Sequence, residues 1–441
     1  MPTNQLDRPP SGGIHPLVAK AFEALEEWGA PWMLLRGEND LARPAGDVDI
    51  LVAEKQPADL DSLMREAGFH RVVAPGHGTH RFYFSYAGAD DLWVKLDIVT
   101  EIAFGPYQQW RTPLGAPSLA RRIRTCGLWL PAPADQAWLQ LLHLVMDKGQ
   151  IPLARAEAAG RAAGIATADD AVAQFLDQRL GEGSAASVLN AFRSANPGDV
   201  PAVAEKLRSA WTAAVPVGSR GRGAVNRALR LLGPALQGRS GSGLVVGVMA
   251  PDGAGKTSLL HLLAGTFPVP GKYVYMGMWS TGSWDPLLRR VPGGRLGKKM
   301  VRLARATVVA RYHRVRGRLV LLDRLPYDAI LPGSVDSSAG GRIAAALAFR
   351  LVPNADVVMV LDAPGEVMFS RKGEHSAEVL EQRRRAYLDL ARRLPGSRVL
   401  DACQPLEMLR TQAADIVWGS LAGKAGSSGG KRPQQRKEIP G

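Results

Sequence analysis

The sequence predicts at least two folded parts: a carboxyl-terminal α/β domain with a parallel sheet flanked by helices, preceded by an α+β domain and a helical subdomain. Three observations predict this order. Apolar strands alternate with helices after residue 243, strands and helices mix before residue 104, and the stretch between them is Ala- and Leu-rich with helical periodicity. The length of 441 residues also exceeds that of one ordinary domain.

The composition is that of an ordinary globular protein. Hydrophobic residues make up 46% and charged residues 22% of the chain, which is enough apolar material to build buried cores. The sequence has neither an apolar leader nor an uninterrupted apolar stretch of about 18 residues, so we expect a cytoplasmic protein without a transmembrane segment. Cys126 and Cys403 lack the spacing of a zinc site or a disulfide framework.

Composition and periodicity predict five segments. The α+β domain spans residues 1–104 and the helical subdomain spans 105–215. A Gly-, Ser- and Arg-rich stretch at 216–242, built around one short helical piece, is interpreted as an interdomain linker. The α/β domain then spans 243–419, and the Gly-, Ser- and Lys-rich tail at 420–441 is predicted to be disordered.

A phosphate-binding loop is predicted where APDGAGKTS fits the pattern G-x-x-x-x-G-K-[ST], with alanine at the first glycine position. An apolar strand precedes the loop and a helix follows it, so backbone N–H groups converge on one anion. Lys256 is expected to neutralise the β- and γ-phosphates of ATP, and the Thr257 hydroxyl is expected to bind Mg²⁺. The predicted nucleotide contacts are Ala250, Gly253, Ala254, Gly255, Lys256, Thr257 and Ser258.

Two further elements are predicted to complete this site. The strand RLVLLDR ends in Asp323 and Arg324, at the edge where open α/β sheets bind ligands. Asp323 could hold magnesium through water and Arg324 could hold a phosphate, while a strand-end salt bridge is the alternative. Arg371 and Lys372, with the three arginines at 383–385 farther along, have the composition of a basic lid over ATP. A solvated helix face is the alternative, and it applies to the three arginines more than to Arg371 and Lys372.

The order of these motifs resembles the thymidylate kinase family of nucleoside monophosphate kinases: APDGAGKTS, then LLDR, then RKGEHSAEVLEQRRRAYLDLA. The resemblance implies a P-loop kinase fold and transfer of the terminal phosphoryl group of ATP. It also implies that Asp252 contacts the sugar of the acceptor, Arg324 its phosphate, and Arg371 the donor phosphates. LPYDAIL follows the Asp-Arg pair where that family commonly has Tyr, Ser and Tyr-Gln, so the acceptor stays open between a nucleotide, a sugar phosphate and a polyol.

A second candidate site is predicted in the α+β domain. Asp47 and Asp49 alternate along one strand, so both point to the same face, and Asp97 lies on another strand. Converging carboxylates are the oxygen ligands that hold Mg²⁺ during nucleotidyl transfer. The arrangement resembles the polymerase-β-like nucleotidyltransferase superfamily over residues 30–104, which implies that these three carboxylates bind metal. Two nearby histidines are interpreted as loop residues: His77 and His80.

Positive charge is concentrated in a few places. Residues 289–318 hold eleven lysines and arginines without an acid, and the chain as a whole carries +14. With the basic tail also set aside, the remainder is close to neutral, which disfavours a general nucleic-acid-binding protein. One face of this segment recurs at helical spacing and is predicted to pack on the sheet: Leu296, Met300, Leu303, Val308, Tyr312 and Val315. The outward charge could meet a highly anionic acceptor, an anionic surface or only solvent.

The leading interpretation is a two-headed enzyme that joins an ATP-dependent phosphotransferase to a nucleotidyltransferase-like domain. A regulatory or scaffold protein that binds nucleotides without turnover is one alternative. A nucleic-acid end-processing enzyme is another, and the absence of an aromatic-lined basic groove from the sequence pattern disfavours it. A small-molecule acceptor is the expected partner, and a homodimer is left open.

Overall fold

The computed structural model describes residues 13–38, 40–53, 57–194, 199–214, 216–233, 238–239, 243–275, 294–323, 325 and 354–426. The chain divides into two compact units. The first consists of Met1–Ser85 and Trp93–Gln237, and the second of Tyr86–Leu92 and Gly238–Gly441. The division after Gln237 falls inside the segment that the sequence pattern predicts to be a linker.

Nine strands and nine α-helices are assigned in the described residues up to Leu231. The strands are β1 (Trp32–Arg36), β2 (Asp47–Val52), β3 (His70–Val73), β4 (Arg81–Ala87), β5 (Leu92–Val99), β6 (Ala103–Phe104), β7 (Trp110–Arg111), β8 (Ile123–Thr125) and β9 (Leu128–Leu130). The helices are α1 (Pro16–Trp28), α2 (Pro57–Glu66), α3 (Gly115–Arg121), α4 (Pro133–Leu142), α5 (Ala156–Ile165), α6 (Ala171–Leu180), α7 (Ser184–Arg193), α8 (Asp199–Ala214) and α9 (Pro216–Leu231).

A mixed sheet organises the amino-terminal part of the first unit. Strands β1, β2, β5, β4 and β3 are neighbours in that order. Strand β1 pairs antiparallel with β2, β2 pairs parallel with β5, and β3 pairs antiparallel with β4. A parallel pair needs a long crossover connection, and the chain between β2 and β5 supplies it. The parallel register places Asp49 directly beside Asp97.

The helical part of the first unit starts later than predicted. Residues 105–130 include strand β7 and the hairpin of β8 with β9, and the continuous helical run begins with α4 at Pro133. Strands of two or three residues are too short to show the alternation that identifies strands in a sequence. Helices α4 to α8 contribute to one apolar core, in which Trp138 and Trp211 are fully buried.

The segment 216–242 contains a 16-residue helix, α9, rather than only a linker. Asn226 donates a hydrogen bond of 2.8 Å to the Tyr107 carbonyl oxygen. The Arg230 guanidinium donates to the carbonyl oxygens of Gly76 and Pro106, at 2.9 and 2.6 Å. These contacts hold α9 on loops of the first unit, so tertiary hydrogen bonds stabilise a helix that its glycine content does not predict.

The second unit contains six strands and five helices in its described part. The strands are β10 (Gly238–Arg239), β11 (Val245–Met249), β12 (Gly271–Tyr275), β13 (Leu319–Asp323), β14 (Val357–Asp362) and β15 (Ser397–Asp401). The helices are α10 (Lys256–Thr266), α11 (Gly294–Val315), α12 (Gly365–Lys372), α13 (Ala377–Arg393) and α14 (Leu406–Gly426). Helix α14 continues beyond residue 419, where the sequence predicts that the tail begins.

A five-stranded parallel sheet flanked by helices forms this unit, as the strand–helix alternation predicts. Its order is β12-β13-β11-β14-β15. Strands β11 and β13 are buried along their whole length, which explains their continuous apolar sequences. Ala310 of α11 and Tyr387 of α13 share one apolar cluster with the sheet residues Val245, Val320 and Val360. Among the described residues, no helix is both long enough and apolar enough to cross a membrane.

Helix α11 packs a different face on the sheet from the one that the sequence predicts. Val308, Tyr312 and Val315, which the sequence predicts to pack on the sheet, are 65%, 52% and 80% exposed. Thr307 and Ala310 are buried instead. Small side chains allow the helix to lie close to β12 and β13, so the bulky apolar residues point outward. The side chains of Leu296, Met300 and Leu303 lie outside the described residues.

Candidate functional site

The loop between β11 and α10, residues 250–255, is called the phosphate loop below. Gly253 and Gly255 have φ angles of 89° and 94°, which glycine adopts more readily than other residues. A Cβ atom at residue 253 would lie 2.4 Å from the Met368 carbonyl oxygen, so the neighbouring helix α12 also requires glycine there. Ala250, at the first glycine position of the motif, is buried at the end of β11.

Helix α10 begins directly after this loop. Gly255 is its N-cap residue, and no side chain caps the helix there. The first backbone N–H groups of a helix have no partner within the helix, and the helix dipole adds partial positive charge at the same end. The loop and the helix N-terminus therefore present donors suited to a phosphate group.

Lys256, the first residue of α10, directly follows the phosphate loop and is 9% exposed. Its ammonium group donates hydrogen bonds to the Ala250 and Pro251 carbonyl oxygens, at 2.7 and 2.8 Å. The Asp252 carboxylate is 3.8 Å from the same nitrogen. A cation is thus held at the position where the motif predicts phosphate neutralisation.

Asp323 ends strand β13 and is 3% exposed. Strand pairing places it beside Val248, near the end of β11. The Thr257 hydroxyl oxygen lies 3.2 Å from Asp323 Oδ2. The Tyr273 hydroxyl donates to the same oxygen at 2.6 Å. The structure therefore brings together the hydroxyl and the carboxylate that the sequence proposes as magnesium-binding groups.

Tyr273 is a site residue that the sequence patterns do not reveal. It lies on β12, where it pairs with Leu321 of β13, and its ring stacks on His261 with 4.9 Å between centroids. The apolar pattern predicts the β12 strand but not its place in the sheet. The structure shows that β12 lies beside β13, and this pairing lets Tyr273 reach Asp323 at the end of β13.

The predicted lid residues lie near the end of α12. Both terminal nitrogens of Arg371 donate to the Ala402 carbonyl oxygen at 3.1 Å. Lys372 forms a half-exposed ion pair of 3.0 Å with Glu374. Arg324, predicted to hold an acceptor phosphate, lies outside the described residues.

Two of the three arginines at 383–385 are not part of a solvated face. Arg383 lies 4.0 Å from the Asp252 carboxylate of the phosphate loop. Arg384 forms a two-point contact with Asp362, at 2.5 and 3.1 Å, and this hydrogen bonding raises the pKa of the guanidinium. The sequence left a solvated face open for these two residues, because helical spacing does not show which turn of α13 lies beside the ends of the strands.

Three carboxylates meet on the sheet of the first unit, and we call them the carboxylate cluster: Asp47, Asp49 and Asp97. One ligand oxygen of each lies within 4.8 Å of the others. Asp49 and Asp97 are register partners on the parallel strands β2 and β5, which explains why their side chains emerge on one face. Asp47 is exposed at the start of β2, whereas Asp97 is buried.

Each carboxylate of the cluster has a basic partner. The nitrogen–oxygen distances are 2.8 Å for Arg36–Asp49, 2.5 Å for Lys95–Asp47 and 2.8 Å for His80–Asp97. Opposite charges at these distances partly neutralise the cluster. The carboxylates of this site could bind a metal cation, and their basic partners could bind an anionic group.

Burial and charge shift the pKa values in this cluster. Burial raises the pKa of Asp49, Arg36 opposes that shift, and the neighbouring carboxylates Asp97 and Asp47 add to it. Burial disfavours protonation of His80, but the hydrogen bond to Asp97 and the charge of that carboxylate outweigh it, so the pKa of His80 is raised. The raised pKa of His80, and the contribution of two neighbouring carboxylates to the raised pKa of Asp49, both reflect concentrated negative charge.

His80 lies in a loop, as the sequence pattern indicates, and its ring also contacts the carboxylate cluster through Asp97. It directly precedes β4, the strand beside β5. Counting outward from the turn that joins these two strands brings residues near 80–82 to the level of Asp97. That count was available from the sequence and could have identified the contact.

The sequence matches no protein-family model and no curated protein. Solved structures do match. One is a thymidylate kinase from Candida albicans, with 15% sequence identity and a TM-score of 0.32. That match covers 42% of this chain and 94% of the thymidylate kinase chain. The similarity is weak, so a function for this chain has to rest on its own residues.

Proposed function

We propose that the second unit is an ATP-dependent phosphotransferase. The observation that carries the proposal is the 3.2 Å approach of Thr257 Oγ1 to Asp323 Oδ2 beside the phosphate loop. Two possible oxygen ligands for a metal therefore lie close together: the Thr257 hydroxyl at the start of α10 and the Asp323 carboxylate at the end of the neighbouring strand β13. Magnesium prefers oxygen ligands of this kind and retains several waters when it binds a nucleotide.

The residues present fit magnesium and ATP. Thr257 and Asp323 would hold Mg²⁺, which supplies charge neutralisation to the β- and γ-phosphates. Lys256 and the N–H groups at the start of α10 would bind the same phosphates. Because these donors are fixed before the reaction, they stabilise charge that develops during transfer without reorganising.

The acceptor is proposed to be a small molecule with hydroxyl or phosphate groups. Asp252 and Arg383, 4.0 Å apart, offer an acceptor-binding carboxylate and a cation at the rim of the phosphate loop. A carboxylate suits a sugar hydroxyl, and a guanidinium suits a phosphate. Nucleoside monophosphates, sugar phosphates and polyols all fit this description.

The experiment is an ATP-consumption screen of the purified full-length chain against those three acceptor classes, with Lys256→Ala as the comparison. Acceptor-dependent ADP formation that is lost in the variant supports the proposal. A regulatory protein would instead bind Mg·ATP without acceptor-dependent turnover. Absence of both binding and turnover would reject a nucleotide function for this unit.

A second candidate function, nucleotidyl transfer in the first unit, is favoured by the register pairing of Asp49 with Asp97. Three carboxylates within 4.8 Å of one another match the oxygen-rich environment that divalent metals require in such chemistry. If a metal replaced Arg36, Lys95 and His80 as partners of the carboxylates, these basic side chains could bind substrate phosphates instead. Release of pyrophosphate from a nucleoside triphosphate, lost on Asp49→Asn, is the outcome that would support it.

A further inference from the structure

The outward face of α11 carries large apolar side chains. Val308, Tyr312 and Val315 follow one another at spacings of four and three residues, so they lie on one side of the helix. They are among the more exposed large hydrophobic residues of the described chain, at 65%, 52% and 80%. We call these three residues the outer stripe.

The outer stripe reverses the usual arrangement of a helix on a sheet. Such a helix ordinarily buries its bulky apolar residues and exposes polar ones. Here Ala310 and Thr307 are buried on the inner side, and Ala306 and Val309 are partly buried with them. Because the inner side already fills the space above β12 and β13, the outer stripe is not needed for packing on the described part of this unit. Contiguous exposed apolar residues of this kind indicate a binding surface.

Arginines accompany the outer stripe. Arg305 and Arg311 are exposed and precede Val308 and Tyr312 by three residues and one residue, respectively. The sequence from 289 to 318 contains eleven basic residues and no acid. The occupant of this surface must therefore combine negative charge with an apolar interior.

We propose that the outward face of α11 docks on an anionic lipid surface. A bilayer interface satisfies both requirements, because the apolar side chains enter the boundary of the acyl region while the arginines reach the headgroups. The long arginine side chains can extend to the headgroups while their aliphatic stems stay beside the apolar residues.

Other occupants fit less well. A second copy related by a two-fold axis would place the same patch on both sides of the interface, so arginine would face arginine. Nucleic acid would pair with the arginines, but Val308 and Val315 would gain nothing from a phosphate backbone, and a single tyrosine is a poor stacking surface.

Co-sedimentation of the purified full-length chain with vesicles tests this proposal. One set of vesicles contains phosphatidylcholine alone, and the other contains phosphatidylglycerol as well. The chain should bind the anionic vesicles, and added salt should weaken the binding. Arg305→Gln with Arg311→Gln should lower the partition coefficient roughly 25-fold, at about fivefold for each arginine. Val308→Ser with Val315→Ser should lower it about tenfold.

Val379→Ser with Met408→Ser is the matched control, since both residues are exposed on other helices of the same unit. Its vesicle binding should equal that of the unchanged chain. Equal binding to both vesicle types, or no binding to either, would overturn the proposal. So would a dimer in light scattering that Val308→Ser with Val315→Ser dissociates, or RNA binding that only the arginine pair affects while vesicle binding stays unchanged.

Discussion

The Tyr273 hydroxyl donates a 2.6 Å hydrogen bond to Asp323 Oδ2, across the adjacent strands β12 and β13. Thr257 approaches the same carboxylate oxygen at 3.2 Å. Asp323 is almost fully buried, so its orientation is set by these partners and not by water. The tyrosine is therefore positioned to fix the carboxylate that we assign to magnesium.

Tyr273→Phe should weaken Mg·ATP binding roughly 10- to 100-fold, which is the usual cost of losing a group that orients a metal ligand. Calorimetry at several magnesium concentrations would measure it. Tyr275→Phe is the matched control, because Tyr275 lies on the same strand and its side chain is exposed. Equal Mg·ATP affinities in the two variants would contradict an orienting role for Tyr273.

The two glycines of the phosphate loop should respond differently to alanine. Gly255 has a positive φ angle but open space where the methyl group of an alanine would lie, so Gly255→Ala should cost about 1 to 2 kcal/mol. Gly253→Ala adds a contact of 2.4 Å with the Met368 carbonyl oxygen, so its cost should be larger. Calorimetric melting of the two variants measures the difference. A smaller loss of stability for Gly253→Ala would show that α12 does not press on the loop.

Asp49→Asn should weaken Mn²⁺ binding to the first unit roughly tenfold or more, because the carboxylate cluster loses one charged ligand. The fold should persist, since the raised pKa of Asp49 shows that its charged form is already disfavoured by burial. Paramagnetic resonance of free Mn²⁺ measures the affinity. Asp169→Asn, at an exposed position of the same unit, is the control, and ATP turnover by the second unit should not change.

If Asp49→Asn and Asp169→Asn bind Mn²⁺ equally well, the carboxylate cluster is not a metal site. If Asp49→Asn also loses ATP turnover, the two candidate sites do not act independently.

His80 should stabilise the first unit more in acid than in alkali. Its folded-state pKa is raised, chiefly because the Asp97 contact outweighs burial. The stabilisation is fully present below the unfolded value of about 6.5 and is lost as the pH rises through the higher folded value. The melting temperature of His80→Gln should therefore fall further below that of the unchanged chain at about pH 6 than at about pH 8.5. A larger difference at the alkaline pH would contradict the raised pKa.

The sequence predicted the parts of the site that follow one another along the chain. A strand, a glycine loop and a helix between Val245 and Thr266 are local features, so periodicity and motif spacing locate them. The sheet edge at which Asp323 lies also follows from the strand pattern, because parallel strands end at one edge of the sheet. Its closeness to Thr257 depends in addition on the pairing of β13 with β11.

The parts that the sequence missed depend on how elements pack. Tyr273 reaches Asp323 only because β12 is the neighbour of β13, and sheet order is not visible in periodicity. Helix α11 buries alanine and threonine instead of valine and tyrosine, so the apolar pattern alone selected the wrong face. The short pairs β6–β7 and β8–β9 offered no pattern to recognise.

ATP turnover by Lys256→Ala tests the central claim most directly. Lys256 is held between two carbonyl oxygens of the phosphate loop, where its charge would meet the phosphates. The variant should lose Mg·ATP turnover by several orders of magnitude while remaining folded, because that charge stabilises the transition state. Lys272→Ala, at an exposed position of β12, should keep the turnover of the unchanged chain. Unchanged turnover in a folded Lys256→Ala chain would contradict phosphoryl transfer at this loop.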